Sequence, residues 1–482
     1  MGVGLSRNLL VAGLCLLTAL ASDGQKKPND NTLAILHVTV IDGTGASPKA
    51  DQTVLIQGTQ IAMIGPTISV RPPKSARMIE ARGLYLIPGL WDMHVHIWDA
   101  DLAFPLFLAN GVTGVRNTGG HPGDLMRWRE ELREGKRLGP RLIACGPVVD
   151  GAPPIHPDHS VVVEGATEGR STVHHLKSQG WEFIKLYDNV PRDAYFAIAA
   201  EAKKENIPFV GHVPLSVTAT EASDAGQKSI EHFEGVEYVL SPLGEGFRQQ
   251  RLDAIGKLPQ PGEMMKLPMR ITNEINQIAD TYDEKRAGEV FAKFAHNGTW
   301  QTPTLSVKRV YSSNGDSSLY EDLRLKYVSR GERDGWEHNP IVHLEISEYV
   351  AARKRAFEQA LRTTRAARQD GVRFLAGTDS GGVPYLYYGF SLHDELSLLV
   401  EGGFTPMQAL QAATRDPAEF LGLHDLGTVE VGKRADLILL SANPLDDIHN
   451  TSRIDAVILA GRLLGRHELD QFLTAVENRA KE

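Results

Sequence analysis

The stretch GLWDMHVHIWD, residues 89–99, decides how the chain is read. It sets His94 and His96 one residue apart just after a Pro88-Gly89 turn, in a run apolar enough to be a buried strand. In a strand, residues i and i+2 point to the same face, so both imidazoles can reach one ion. Neutral imidazole suits zinc and related divalent metals. Alone the pair is a weak signal, since two polar residues can simply end a strand. Its meaning depends on what else the chain delivers to the same place.

Upstream, residues 33–86 alternate apolar and polar positions between turns (LAILHVTVIDGTG, QTVLIQGTQIAMIG, ARGLYLIPG). The same texture returns in GTVEVGKRADLILLSANP and IDAVILAGRLL. This predicts a small β-sandwich domain formed by both ends of the mature chain, 32–86 and 426–467. Between them, over 87–425, eight short apolar runs alternate with helical patterns: LYLIPGLWDMHVH, GVTGVRNTG, PRLIACG, WEFIKLYD, IPFVGHV, KSIEHFE, GTWQTPTL and VRFLAGTD. The expected class is α/β, a (β/α)8 TIM-like barrel, whose ligand-binding groups gather where strands end. PRDAYFAIAAEAKKEN and SEYVAARKRAFEQALRTTRAARQDG read as helices, the second capped near Gly371. Segments 240–298 and 305–345 exceed ordinary connections and read as insertions over the barrel mouth. Residues 468–482 read as a C-terminal helix or tail.

Arg7, the apolar run LLVAGLCLLTALA and the small residues Ala19-Leu20-Ala21 resemble a cleaved export signal over 1–21, followed by a polar linker over 22–31. The expectation is a secreted or periplasmic protein with no membrane span in the mature chain, the retained anchor being the alternative. Only two cysteines occur, Cys15 in the signal and Cys145, which excludes an intrachain disulfide after cleavage. The net charge of −9, with no basic stripe, excludes a charge-driven nucleic-acid role.

On the eight-strand layout the metal-type residues fall at strand ends: His94 and His96 on the first, Lys185 on the fourth, His212 on the fifth, His232 on the sixth and Asp379 on the eighth. Each has a structural alternative. His212 fits a carbonyl-bonded core histidine, His232 a strand cap, and Asp379 a turn residue beside glycines. Lys185 facing inward is costly unless paired, with Glu182 and Asp188 as candidate partners. With 17 histidines in the chain, the coincidence of positions, not their number, carries the argument.

The order His-x-His, Lys, His, His, Asp, with PGLWDMHVH early and GKRADLILL late, resembles the amidohydrolase superfamily, in its imidazolonepropionase-related and prolidase-like branch. The resemblance spans essentially the whole mature chain. It implies that His94, His96 and Asp379 hold a buried divalent metal, and that His212 and His232 hold a second. It implies that Lys185 is N6-carboxylated, its CO2-derived carbamate bridging the two, with zinc the first candidate ion. A mononuclear site of His94, His96, His212 and Asp379 is the alternative. The resemblance further implies attack of metal-activated water on a carbonyl, with Asp379 as base. Tyr187, Tyr238 and His156 are candidate substrate contacts, and His121, His159 and His393 have packing or loop roles as alternatives.

These readings point to an enzyme hydrolysing a C–N bond in a dipeptide-like, N-acyl amino acid or cyclic amide substrate, Xaa-Pro dipeptidase-like or carboxypeptidase-like, and expected to be a homo-oligomer. Esters, lactones and phosphotriesters are alternative substrates of the same centre. A non-catalytic binding module and a solute-binding protein are the rival classes. All six ligand positions being filled argues against the first, and the barrel pattern against the second.

Overall fold

The computed structural model describes residues 32–257, 267–339 and 342–482. The expected export signal (1–21) and linker (22–31) lie outside the described residues. Strand β1 (Thr32–Val40) has the predicted alternation, but its ladder with β2 (Lys49–Gln57) shifts register twice, and His37 takes a φ of 57°. Such irregularities bend a strand. One side of β1 accordingly pairs first with β4 (Arg77–Glu80) and then with β5 (Tyr85–Pro88), while β3 (Gln60–Pro66) extends the sheet beyond β2.

Strand β5 in turn pairs with β15 (Leu437–Leu440), which carries β16 (Ile454–Leu459) and β17 (Arg462–Gly465). Both ends of the described chain therefore share one eight-stranded sheet. The expected sandwich is realised as a single branched sheet, burying Ile35, Val54, Ile56, Leu86, Leu437 and Ile458 together in one cluster and Ala34, Leu55 and Val70 in another.

Gly89 separates this sheet from the centre of the molecule. A Cβ at this position would lie 2.1 Å from Thr113 Oγ1, and its N–H donates to Asp436 O at 2.8 Å. The run LYLIPGLWDMHVH, expected as one strand, is therefore two: β5 outside and β6 (Leu90–Val95) inside. Strands β6, β7 (Val112–Asn117) and β8 (Arg141–Ala144) pair in parallel. So do β11 (Ile184–Leu186), β12 (Phe209–Gly211), β13 (Ser229–Glu231) and β14 (Trp300–Thr302), with a Cys145–Phe183 bridge between the two groups. Most of these strands are buried along their whole length, as parallel strands covered by helices are.

Two short strands absent from the sequence reading, β9 (Val148–Asp150) and β10 (Ser160–Val162), extend the β11 side and complete a six-stranded sheet. The eighth expected strand is not regular. Its N–H groups change partner at nearly every step: Leu375 donates to Gln301 O, Ala376 to Ala412 O and Asp379 to His94 O. Only isolated bridges result, Gln301–Phe374 and Val95–Ser380 to other strands and Ser380–Val383 within the turn that follows. The described residues thus form an α/β body of parallel sheets, with segment 373–380 running between β14 and β6.

The expected helices are present at Arg192–Glu205, ending at Asn206 with φ 51°, and at Ser347–Gln369, with Gly371 at φ 86° beyond it. The two long segments are themselves helical, with Gly244–Ala254 and Leu267–Asp280 in one, and Leu305–Ser312 and Arg330–Glu337 in the other. The C-terminal helix Arg466–Arg479 packs Val476 with Leu102 and Leu106 of helix Ala100–Ala109. No described helix is long and apolar enough to cross a membrane.

Candidate metal centre

Strand β6 delivers His94 from its buried face and His96 from the residue beyond its end. His212 follows β12 directly, His232 follows β13, and Lys185 is the middle residue of β11. Ligand atoms of His94, His96 and Asp379 lie within 4.8 Å of one another. The ring of His232 is 4.6 Å from that of His94, and the ring of His212 is 5.0 Å from that of His232. The structure therefore gathers the four histidines and Asp379 into one cluster. Asp379 takes a φ of 65° and His232 a φ of 61°, conformations uncommon for non-glycine residues and concentrated at functional positions.

The hydrogen bonds at Nδ1 fix which nitrogen of each ring is free. His94 Nδ1 is 2.8 Å from Glu231 Oε2, His96 Nδ1 3.1 Å from Gly119 O, and His212 Nδ1 2.6 Å from Asp188 Oδ1. Carboxylates and carbonyls only accept, so these three Nδ1 atoms carry the hydrogen. His232 Nδ1 is 2.6 Å from Thr304 Oγ1, whose own hydrogen goes to Pro303 O, so this ring donates as well. All four rings thus turn an Nε2 lone pair away from their anchors. This arrangement orients metal-bound imidazoles.

Those lone pairs meet another. Asp379 Oδ1 stands 3.1 Å from His96 Nε2 and 3.4 Å from His94 Nε2, with the Thr118 hydroxyl 3.3 Å from the former. His94 Nε2 and Asp379 Oδ1 are buried without a hydrogen-bond partner. Three electron-rich atoms converging on one point are held together best by a cation among them, so the donor set fits a divalent metal. Burial, then the charges of Lys185 and His96, push the His94 imidazole well below its ordinary pKa; burial and His94 do the same to His232. Both rings are held in the neutral, coordinating form.

Lys185 is almost wholly buried, and its Nζ has no hydrogen-bond partner. Neither expected ion pair forms: Glu182 bonds Arg129 at 2.5 Å, and Asp188 bonds His212. Burial lowers the Lys185 pKa, while the charges of Glu231 and Asp379 oppose that shift. Behind the cluster, Arg116 and Glu231, both fully buried, pair at 2.8 Å, with Arg116 also donating to Ser229 Oγ, Thr302 Oγ1 and Met93 O. Burial opposes ionisation of Glu231, yet Arg116 and Lys185 outweigh it and hold its carboxyl below the ordinary glutamate range. Asp92 accepts from His94 N, Thr378 N and Thr378 Oγ1, tying the backbone of His94 to the residue before Asp379.

Of the candidate substrate contacts, Tyr187 stacks on His212 with ring centroids 4.1 Å apart, and its hydroxyl lies 3.0 Å from His156 Nε2. Both therefore border the cluster. Tyr238 does not join it, because its ring is buried and its hydroxyl donates to Glu274 Oε1 at 3.0 Å. His393 is a packing residue, bonded to Thr451. A cavity of about 280 Å³ opens beside His232, behind Phe233 and Glu234, between the two helical segments and helix Ser347–Gln369. Lys308, Tyr311 and Arg353 line it, and Asp379 acts electrostatically on Tyr311. Arg353 bonds only the Tyr349 hydroxyl, and neither Arg353 nor Lys308 has an ion-pair partner among the described residues.

Arg116, Glu231 and Thr304 were not singled out from sequence, and Asp188 was singled out only as a partner for Lys185. A usable signal existed for two of them: Arg116 and Glu231 are charged residues inside runs otherwise read as buried strands.

Comparison with known proteins agrees with this geometry. The family model described as "Amidohydrolase family" matches residues 85–464. Ochratoxinase of Aspergillus niger is 23% identical over 445 residues, covering 85% of this chain and 81% of that protein. Among solved structures, a bottromycin amidohydrolase superposes with a TM-score of 0.72 at 25% identity, covering 94% of this chain and 91% of the other. A putative prolidase from Bifidobacterium longum superposes with a TM-score of 0.66 at 23% identity, over 92% and 98% of the two chains.

Proposed function

Since this chain belongs to the amidohydrolase family, we propose that it is a metal-dependent hydrolase of a C–N bond in a carboxylate-bearing amide, an N-acyl amino acid or short peptide. The observation that carries the reading is the convergence of His94 Nε2, His96 Nε2 and Asp379 Oδ1 on one buried point. In this reading the parallel sheets and segment 373–380 are a distorted (β/α)8 barrel. His94, His96 and Asp379 would hold one ion, and His212 and His232 a second, with zinc the first candidate. Bound there, divalent ions supply Lewis-acid activation of water and of the scissile carbonyl.

Lys185 completes the set as an N6-carboxylysine. Its unpartnered amine attacks carbon dioxide, a C–N bond forms, the amine gives up a proton, and the resulting carbamate presents two oxygens where a cation had been. Asp379 takes the proton of the attacking water and returns it to the leaving nitrogen. Burial holds the Tyr187 phenol well above its ordinary pKa, so it stays protonated and can donate to the developing oxyanion. Lys308 and Arg353 in the adjacent cavity favour a substrate with a free carboxylate. Glu234 and Glu237 line the same cavity and offset them, Glu237 the less because burial and Glu234 push it up to about 7.

The test is hydrolysis of matched N-acyl amino acids, dipeptides, esters and lactones by protein supplied with zinc, manganese or cobalt. Expected are cleavage of carboxylate-bearing amides, loss on chelation, and a fall in kcat of roughly 10²–10⁴-fold in Asp379→Asn with the fold retained. No amide cleavage by metal-loaded protein, or full activity in Asp379→Asn, would contradict the reading. The proposal includes export, so N-terminal sequencing of protein secreted by its native host should begin at residue 22.

A further inference from the structure

The rings of the metal centre continue into a second set, of which the mechanism uses Tyr187 alone. From His96 the path runs to Trp98, with centroids 6.5 Å apart and planes 13° apart, and then to His159 at 5.3 Å. His159 stacks on His156 at 5.0 Å, His156 meets Tyr187 at 5.1 Å, and Tyr187 stacks back on His212. Together with the four histidines of the cluster this is a closed circuit, half of it outside the metal centre. The outer half comes from the segments after β6, β9 and β11, of which β9 and β11 are neighbours.

Part of its polar surface is already engaged, the ring nitrogens of His159 having no hydrogen-bond partner among the described residues. Trp98 Nε1 donates to Gly381 O at 2.7 Å, in a turn so close that a Cβ on Gly381 would lie 1.9 Å from His96 O. Tyr187 and His156 are bonded to each other. Trp98 is thus pinned by its edge yet remains 37% exposed. Burial first, then the charges of neighbouring histidines, lowers the pKa of His156, and holds that of His159 near about 4. At neutral pH the wall is therefore uncharged. What it offers a ligand is flat π surface.

We infer that Trp98, His156 and His159 form a stacking subsite for a flat, uncharged ring, so that the enzyme prefers amides carrying an aromatic group next to the scissile bond. The position of the bond rests on the hydrolase reading, whereas the recognition of a flat ring does not. Each aromatic contact of this kind changes a binding constant by about two- to tenfold.

Binding of benzamide and cyclohexanecarboxamide, two neutral amides that differ in flatness, separates the ideas when measured by calorimetric or NMR titration of the full-length protein. Benzamide should bind about fivefold or more tightly than its saturated counterpart. The preference should fall towards unity in Trp98→Ala and His159→Ala and persist in Trp98→Phe. Equal affinities in the unmodified protein, no benzamide binding, or an unchanged preference in both alanine variants would overturn the inference. Absence of amide hydrolysis with the ring preference intact would sink the hydrolase reading alone, and hydrolysis without the preference would sink this one alone.

Discussion

Each of the four clustered histidines is anchored at Nδ1 by a different acceptor: Glu231, Gly119 O, Asp188 and Thr304. Removing one anchor frees a ring to flip or change tautomer without removing a ligand. Asp188→Ala should therefore weaken metal binding by about 10–100-fold, read by chelator competition, with little change in unfolding midpoint. Unaltered affinity would show that the bond to His212 does not orient it. Arg116 is different, because Arg116→Met leaves Glu231 fully buried without its cation. That change should cost about 3–5 kcal/mol in denaturant unfolding. The clustered residues were legible in the sequence because metal chemistry admits few residue types, and His94, His96 and Asp379 converge as expected. Their anchors were not, because an Nδ1 hydrogen accepts any carboxylate, hydroxyl or carbonyl that folding brings near. Lys185 was legible as an oddity, and the structure sharpens it by giving both expected partners to other residues.

At the scale of elements, the sequence periodicity placed the helices and seven of the eight expected central runs in regular strands. It could not show that VRFLAGTD would divide its hydrogen bonds among Gln301, Ala412 and His94, since partner choice is set by distant chain. Nor could it split β5 from β6 at Gly89. Gly89→Ala should cost about 1–3 kcal/mol by overpacking against Thr113, and Thr113→Ala in the same chain should recover part of the loss. His393 joins helix Phe390–Glu401 to Thr451 in the turn before β16. Burial lowers its pKa from 6.5 to about 4, so the neutral ring is the folded form. The unfolded chain takes up a proton below 6.5 and the folded chain only below about 4. Its contribution is thus complete above pH 6.5 and is lost as the pH falls through that window. The loss amounts to about 3 kcal/mol at the acid end. Replacing His393 by Gln should flatten this limb of the stability–pH curve, and an identical acid slope would show that His393 titrates normally.

For the whole molecule, the terminal sheet is shared rather than appended: β5 from the first ninety residues pairs with β15, more than three hundred residues later. A chain ending at residue 425 lacks β15, β16 and β17 and bares the edge of β5, so it should be recovered insoluble or without a cooperative thermal transition. A soluble, cooperatively folding fragment would show that the central sheets are independent. The sheet fixes Gly89, Gly89 leads into β6, and β6 brings His94 and, just past its end, His96 to Asp379. The central claim is that this path ends in a centre for two divalent ions bridged through Lys185. Metal bound per chain, measured after zinc and bicarbonate loading and removal of excess, tests it directly in the unmodified protein and in Lys185→Ala. The account predicts about two ions per chain in the first and no more than about one in the second. Metal-free protein, or the same stoichiometry in both, would contradict it.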